Sequence, residues 1–384
     1  MAVKIILLIL FFGVMMGIGV YARKHATDVN GFVLGGRSVG PWLTAFAYGT
    51  SYFSAVVFVG YAGQFGYKYG LASTWIGIGN AVLGSLVAWV VLGRRTRIMS
   101  KHLGSMTMPD FFGKRYDSQS LRIAASVIAF IFLIPYTASV YNGLSYLFGM
   151  AFDVDFRICV VVMAVLTGVY VIIGGYMATA WNDLIQGIIM LFGIVAVIAA
   201  VLSGHGGFMA AVKELAQVPS SVMPGAYASF LGPDPANLFG VVILTSLGTW
   251  GLPQMIQKFY AIKDEKAVHT GTIISTLFAI VVSGGCYFLG GFSRISGVKE
   301  AVDGTVKYDT IIPTMLSSLP DILIGIVIVL VLSASMSTLS SLVLTSSSTL
   351  TLDFIKPLFV KKMNEKQQLV WMRVLLAGFI LISV

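Results

Sequence analysis

Ten apolar segments, each long enough to cross a bilayer as a helix, follow one another along most of the chain. A bilayer core about 30 Å thick requires about 20 apolar residues in a helix, and its interior excludes irregular backbone exposed to lipid. Only 11% of the residues are charged and the mean hydropathy is +0.89, which is too apolar for a water-soluble core. The sequence therefore predicts an all-α, polytopic membrane protein. The predicted spans, numbered 1 to 10, are 3–22, 40–66, 71–93, 120–148, 157–177, 183–203, 238–260, 268–292, 320–352 and 367–384.

Basic residues are distributed unevenly between the two sets of loops. If the N-terminus lies outside, the inner loops contain sixteen Lys and Arg residues, Lys258 among them, and the outer segments contain seven. Arg122 and Arg373 lie near helix ends and belong to neither count. Because inner loops of membrane proteins carry the excess of basic residues, we predict a multi-pass protein of the cell (inner) membrane with its N-terminus outside. The net charge of +9 then reflects topology and does not indicate nucleic-acid binding.

Two spans contain helix-breaking and polar residues in mid-span. Span 2 includes residues 47–54 (AYGTSYFS), and span 7 includes residues 245–253 (TSLGTWGLP). A helix break at membrane depth is tolerated only where the freed carbonyls meet protein, water or an ion. The two spans are five apart, as in paired five-helix repeats, and matched interruptions of this kind are typical of a transporter site. The alternative is that these residues only kink packed helices, and the pattern alone leaves both interpretations open.

A stripe of small and hydroxyl residues lies inside span 9. Residues 333–341 read SASMSTLSS, and Ala334, Ser337, Thr338 and Ser341 fall on one helix face. Neutral oxygen ligands at membrane depth suit a small hard cation such as sodium. The alternative is structural, because Ser and Thr in membrane helices also bond their own i−4 carbonyls or pack against a neighbouring helix.

Four motifs together carry a resemblance to a known family. They are residues 35–41 (GGRSVGP), 174–187 (GGYMATAWNDLIQG), 253–261 (PQMIQKFYA) and 335–341 (SMSTLSS). In this order and spacing the chain closely resembles the bacterial sodium:solute symporter family, from about residue 3 to residue 360. The family's members carry proline, pantothenate, sugars, sialic acid or monocarboxylates. The resemblance implies a transporter, not an enzyme, with a LeuT-type inverted-repeat helix bundle and one extra N-terminal helix.

The resemblance also implies how the chain is organised as a single transmembrane transporter domain. Residues 3–22 would be the extra helix, 40–203 the first five-helix repeat and 238–384 the second repeat, which is incomplete because only four of its five helices are among the predicted spans. The family's usual C-terminal helices are not among the predicted spans, and the chain ends inside an apolar run at residues 380–384. We therefore expect a C-terminally incomplete bundle that belongs to a longer protein.

In the family, sodium lies between the break in span 2 and the middle of span 9. The matching positions are the backbone carbonyls of Thr50, Phe53 and Ala334 and the hydroxyls of Ser337 and Thr338. Five uncharged oxygens of this kind agree with the preference of a hard cation for oxygen ligands, and Na⁺ is the implied ion.

Some family members hold a second sodium ion nearer the cytoplasm. The matching positions here are Asp183, Ser340 and Ser341. Asp183 also begins an apolar run, and an acidic residue there marks either an ion path or a helix cap. The sequence does not separate these two roles, which are compatible.

The solute is predicted to dock against the two helix breaks and one face of span 4, where Tyr136 matches a family tyrosine beside the substrate. The candidate residues are Ser51, Tyr52, Ser54, Tyr136, Thr245, Thr249 and Pro253. Proline-carrying relatives have an aspartate at the position of Tyr52 and aromatic residues at those of Thr245 and Thr249, so the resemblance does not extend to their coupling detail. No Lys or Arg is predicted at mid-membrane. Half-helix N-termini would then hold an anionic group, which favours an amino acid or small carboxylate over a sugar.

The predicted function is import of a small organic solute, coupled to sodium, by alternating access across the lipid bilayer. Two alternatives stay open. The same fold can form the membrane sensory domain of a larger signalling protein, which a kinase region after residue 384 would indicate. It can also form a proton-coupled carrier, which uptake without sodium would indicate.

Overall fold

The computed structural model describes residues 2–152, 155–297 and 306–384, where the regular structure is helical apart from one isolated bridge between Val39 and Ile262. The helices within the predicted spans are Ala2–Ala22, Pro41–Tyr52, Ala62–Tyr69, Thr74–Gly79, Gln119–Phe152, Phe156–Gly204, Pro235–Leu247, Pro253–Ala261, Glu265–Gly290, Asp321–Thr349 and Glu365–Ser383. Wider π-helical turns continue them at Val56–Tyr61, Asn80–Val87, Trp89–Gly93 and Leu350–Ile355. Shorter helices in the connections are Val29–Leu34, Arg94–His102, Met108–Arg115, Phe208–Ala216 and Tyr308–Leu316. The predicted all-α fold is confirmed.

Seven helical segments of the described ranges are long and apolar enough to cross a membrane, compared with ten predicted spans. Two of the seven, Val56–His102 and Val160–Gly204, would each be roughly 70 Å long if straight, about twice the bilayer core. Gly70 (φ 62°, ψ −143°) and Gly175 (φ 54°, ψ −146°) lie inside them in conformations open mainly to glycine. Each of these two segments is thus divided into two spans. Span 7 is not among the seven segments because its helices, Pro235–Leu247 and Pro253–Ala261, are too short.

Polar residues lie inside the bundle and large apolar residues cover its outside. Every residue from 330 to 349 of span 9 is buried. This helix packs most extensively against the helix Phe156–Gly204 of spans 5 and 6, and also against spans 1, 4 and 10 and the first half of span 2. Spans 4, 8 and 10 instead expose apolar side chains, such as those of Phe132, Leu277 and Leu381. This arrangement is that of a helix bundle surrounded by lipid, in which polar groups find partners only in the interior.

Glycines permit two close helix crossings onto span 8. A Cβ atom at Gly66 would overlap the carbonyl of Gly290, and one at Gly77 would lie 2.6 Å from the Cα atom of Gly284. At both crossings, spans 2 and 3 approach span 8 backbone to backbone.

We expect Gly66→Ala to destabilise the protein by about 2 kcal/mol, because the added methyl group forces two backbones apart. The matched control is Gly240→Ala in span 7, where a Cβ atom meets nothing within 4 Å. Thermal unfolding of the two purified variants checks this. Equal melting temperatures for the two variants would contradict the close crossing.

Candidate functional site

The break in span 2 is short and lies directly after Tyr52. The first half ends at Tyr52, Phe53 has non-helical angles (φ −104°, ψ 82°), and helical structure resumes at Ala55. The carbonyl of Ser54 accepts the N–H groups of Val57 and Phe58, which begins the second half. Carbonyls of the last helical turn lack intrahelical partners. Thr50 lies in that turn, so its carbonyl is available to another span.

The carbonyl of Thr50 faces the hydroxyl stripe of span 9. The Ser337 hydroxyl lies 3.2 Å from the carbonyl oxygen of Thr50 and 3.2 Å from that of Ala334. The Thr338 hydroxyl lies 3.4 Å and 3.1 Å from the same two oxygens. All four residues are fully or almost fully buried. We call Thr50, Ala334, Ser337 and Thr338 the oxygen cluster.

The spacing within the oxygen cluster fits both hydroxyl-to-carbonyl hydrogen bonds, which Ser337 and Thr338 make to Thr50 and to Ala334 of their own helix, and the ligand shell of a small cation. Ions of the size of Na⁺ and Ca²⁺ bind oxygens at about 2.4 Å, so neighbouring ligands at right angles lie about 3.4 Å apart. The four measured separations run from 3.1 to 3.4 Å. Phe53, which supplies the fifth predicted ligand, is buried just beyond the helix end. Neutral oxygens from two spans thus converge where sequence analysis places the sodium ion.

Asp183 does not cap a helix. The helix breaks at Gly175, and Asp183 lies two turns beyond the break, inside the helix and fully buried. The capping alternative is therefore wrong, because a cap residue lies at the first turn with non-helical angles. Neither carboxylate oxygen of Asp183 makes a hydrogen bond to the described residues.

Lys258 lies next to Asp183, and its placement in an inner loop was wrong. The side chain points into the bundle, where the residue is 1% exposed, and its ammonium nitrogen lies 3.7 Å from Oδ2 of Asp183. The ammonium donates a hydrogen bond of 2.9 Å to the Ser341 hydroxyl, which lies 2.9 Å from that of Ser51. Sequence analysis missed this buried cation because Lys258 lies near the end of predicted span 7, where a basic residue ordinarily faces the cytoplasm.

The three predicted residues of the second sodium set therefore have different neighbours. Asp183 and Ser341 both contact the Lys258 ammonium. Ser340 instead donates a hydrogen bond of 2.9 Å to the carbonyl of Ser337, in its own helix. We call Ser51, Asp183, Lys258 and Ser341 the ammonium cluster. It lies beside the oxygen cluster, because Ser51 follows Thr50 in the chain.

A cavity of about 300 Å³ lies between the two helix breaks and span 4. Five of the seven predicted substrate residues line it: Tyr52, Ser54, Tyr136, Thr245 and Thr249. The other two lie elsewhere, since Ser51 faces the ammonium cluster and Pro253 begins the second half of span 7. Among the described residues that line the cavity there is no Lys, Arg, Asp or Glu.

Asn80 of span 3 is a cavity residue that sequence reasoning missed. Its side-chain oxygen accepts hydrogen bonds from Thr245 (2.9 Å) and Ser246 (3.1 Å) of span 7. The phenol of Tyr52 donates to the carbonyl of Thr245 at 2.9 Å, so span 2 is also joined to span 7 here. A single amide in an apolar run was the available signal, because such a group requires partners in a membrane interior.

The sequence and the fold of this chain are similar to those of known transporters. A family model described as "Sodium:solute symporter family" matches residues 32–384. The chain belongs to the sodium:solute symporter family. The resemblance read from the four motifs is thereby confirmed, and the protein is a transporter rather than an enzyme.

Relatives within this symporter family include transporters named for proline. The osmoregulated proline transporter of Bacillus subtilis (strain 168) is 29% identical over 96% of this chain and 74% of its own length. The sodium/proline symporter of Salmonella typhimurium is 28% identical over 97% and 74%. Sodium/proline symporter 2 of Staphylococcus saprophyticus is 31% identical over 91% and 68%.

The fold also matches a solved structure of a Na⁺-coupled sialic acid symporter in a substrate-bound outward-open state. The TM-score is 0.82 at 17% identity, over 99% of this chain and 79% of that one. At this identity the match concerns the fold alone. It supports the predicted LeuT-type helix bundle, and the helical segments make this symporter a multi-pass membrane protein.

Proposed function

We propose that the chain imports a small zwitterionic amino acid, with proline the first candidate, driven by the inward sodium gradient. In this proposal the protein lies in the cell (inner) membrane with its N-terminus outside. Residues 40–203 form the first five-helix repeat, and residues 238–384 contribute four helices of the second. The observation that carries the proposal is the oxygen cluster, where the break in span 2 meets the hydroxyls of span 9. Membership of a sodium-coupled family agrees with it.

In this scheme one sodium ion is bound by oxygens of both span 2 and span 9. The carbonyl of Thr50 belongs to span 2, and Ala334, Ser337 and Thr338 belong to span 9. A cation held by all four oxygens favours the conformation in which the spans are in contact, since a ligand stabilises the state that binds it better. That state includes the cavity lined by Tyr52, which precedes the break, and Ser54, which lies in it. By ordering the break, sodium would therefore help to form the solute site.

The cavity has the chemistry for a zwitterion. The N-terminus of the helix Pro253–Ala261 offers partial positive charge, and the helix ends at Tyr52 and Leu247 offer partial negative charge. A carboxylate and an ammonium or imino group therefore find opposite helix ends without an ionised side chain. Leu252, Val56 and Tyr136 give the remaining wall the apolar and aromatic character that a small apolar ring requires.

The driving force is sufficient for accumulation. At a membrane potential of about 100 mV, one sodium ion contributes roughly 2.3 kcal/mol from the potential alone. That free energy corresponds to a solute gradient of about forty-fold. The inward sodium concentration gradient adds to this value.

The test is uptake of radiolabelled L-proline into proteoliposomes that contain the purified full chain. We expect uptake with an inward sodium gradient and none when potassium replaces sodium. Uptake driven by a proton gradient in the absence of sodium would indicate a proton-coupled carrier. Sodium-stimulated uptake of a small carboxylate but not of proline would retain the coupling and change the substrate class.

We expect Asn80→Ala to raise the solute concentration for half-maximal uptake about tenfold, because Thr245 and Ser246 lose the acceptor that fixes span 7 at the cavity. The matched control is Ser85→Ala, which removes a buried hydrogen bond of 2.9 Å to Ser275 between spans 3 and 8, outside the cavity. Concentration dependence of uptake checks both variants. An equal change in the two would show that Asn80 has only a packing role.

A further inference from the structure

The ammonium cluster places the side chain of Lys258 where the family resemblance implies a second sodium ion. The Lys258 nitrogen lies 3.7 Å from the Asp183 carboxylate and 2.9 Å from the Ser341 hydroxyl. These two residues are two of the three predicted ligands of that ion. The ammonium also lies 5.2 Å from the centre of the Tyr176 ring, so an aromatic face covers one side of it. The protein therefore holds a built-in cation at this position.

The geometry does not fit a sodium ion in addition to Lys258. The buried carboxylate of Asp183 balances one positive charge, and the lysine supplies that charge. A sodium ion about 4 Å from the ammonium would be repelled strongly enough to weaken its binding on the order of a thousand-fold. Ser340, the third predicted ligand, donates its hydrogen bond to the carbonyl of Ser337 in its own helix.

We propose that the ammonium group of Lys258 takes the place of the second sodium ion, so that the protein binds one sodium ion, at the oxygen cluster. This inference rests on the proposed sodium-coupled function and specifies its stoichiometry. Lysine suits the role because its ammonium is a compact point charge with three donors on a flexible stem. Lys258 is then the residue that determines ion stoichiometry, and its charge stays with the protein throughout the cycle.

The built-in cation is also connected to the site of the transported one. The Lys258 ammonium donates to Ser341, whose hydroxyl meets that of Ser51 at 2.9 Å. Ser51 follows Thr50, and the carbonyl of Thr50 belongs to the oxygen cluster. The first half of span 2 thus contacts span 9 at two neighbouring points. Lys258 stabilises the contact at Ser51, and sodium would stabilise the contact at Thr50. Replacing Lys258 should therefore both open a second ion site and loosen this contact.

Thermal stability as a function of sodium concentration counts bound ions directly. A ligand that binds only the folded state stabilises it in proportion to the logarithm of its concentration, and well above the dissociation constant the slope is proportional to the number of ions bound. The full chain is melted in increasing NaCl, with choline chloride keeping the ionic strength constant. We expect a one-ion slope for the wild type, and for the double variant Ser337→Ala/Thr338→Ala a slope that begins only at sodium concentrations about a hundredfold higher.

The decisive variant is Lys258→Met, which keeps the length of the side chain and removes its charge. We expect its slope to be twice that of the wild type, because sodium then neutralises Asp183 as a second ion. The matched control, Lys263→Met, changes a half-exposed lysine of the adjoining loop and should keep the wild-type slope. The same slope for Lys258→Met and wild type would overturn the inference.

A neutral pair of substitutions keeps the inference testable if Lys258→Met fails to fold. Lys258→Met/Asp183→Asn removes both charges, and we expect its slope to equal that of the wild type. A wild-type slope twice that of this double variant would mean that the wild type already binds two ions, and would overturn the inference while leaving sodium coupling intact. A zero slope in the wild type would instead contradict the proposed sodium-coupled function itself.

Discussion

Alanine at both Ser337 and Thr338 is expected to raise the sodium concentration for half-maximal uptake about a hundredfold. The double substitution removes two of the five proposed oxygen ligands and leaves the three carbonyls in place. If each hydroxyl contributes about 1.4 kcal/mol to ion binding, the loss is about 2.8 kcal/mol, which is a factor of about one hundred. Sodium dependence of solute uptake, measured at equal surface expression, gives the result.

The matched control for this variant lies in the same helix. Ser335 and Ser348 are buried, and each donates to a carbonyl of its own helix, at 2.8 Å to Val331 and 2.7 Å to Leu344. Ser335→Ala/Ser348→Ala therefore removes two hydroxyls from span 9 without touching the oxygen cluster, and its sodium dependence should stay that of the wild type. An unchanged sodium dependence in Ser337→Ala/Thr338→Ala would count against the proposed site.

The second large effect concerns a buried ion pair at the start of span 4. Arg122 contacts Asp353 at 2.9 Å and Asp110 at 3.1 Å, and it also donates to the carbonyl of Leu352 at 3.0 Å. Asp353 is fully buried and accepts a hydrogen bond of 2.5 Å from Thr107. Arg122→Met leaves the Asp353 carboxylate without its cation, so we expect a loss of about 3–5 kcal/mol in the free energy of unfolding.

Two further variants separate charge from packing at this ion pair. Arg122→Met/Asp353→Asn removes both charges of the closer pair, and Asp110 keeps Lys114 as its partner at 2.9 Å. This variant should regain most of the lost stability because no uncompensated charge stays buried. Arg94→Met breaks the exposed pair with Glu265 and should cost less than about 1 kcal/mol. Thermal unfolding of the purified proteins tests the set, and a double variant as unstable as Arg122→Met would show that packing, not charge, makes the site sensitive.

The oxygen cluster could be located from the sequence because its parts have local signals. Gly, Ser and Thr in mid-span predict the break after Tyr52, and the helical spacing of Ser337 and Thr338 predicts a shared face. Both signals depend on neighbours a few residues away, which a sequence shows directly. The motif resemblance then supplied what local signals lack, namely that span 2 contacts span 9.

The ammonium cluster could not be predicted in the same way. Lys258 lies near the C-terminal end of span 7. At that position it resembles the basic residue that ends many membrane helices on the cytoplasmic side. Whether a long side chain turns inward depends on what lies across the bundle, and Asp183 belongs to a different span. Ser51 was assigned to the solute for a related reason. The sequence shows that Ser51 lies at the break, but it does not show whether the side chain faces the cavity or the ammonium cluster.

Direct binding of ²²Na⁺ to the purified full chain tests the central claim most directly. We expect saturable binding in the wild type and in the Gly240→Ala control, and about a hundredfold weaker binding in Ser337→Ala/Thr338→Ala. Thermal unfolding verifies that all three proteins are folded. Equal ²²Na⁺ binding by the wild type and the folded double variant would contradict a sodium site formed by the break of span 2 and the hydroxyls of span 9.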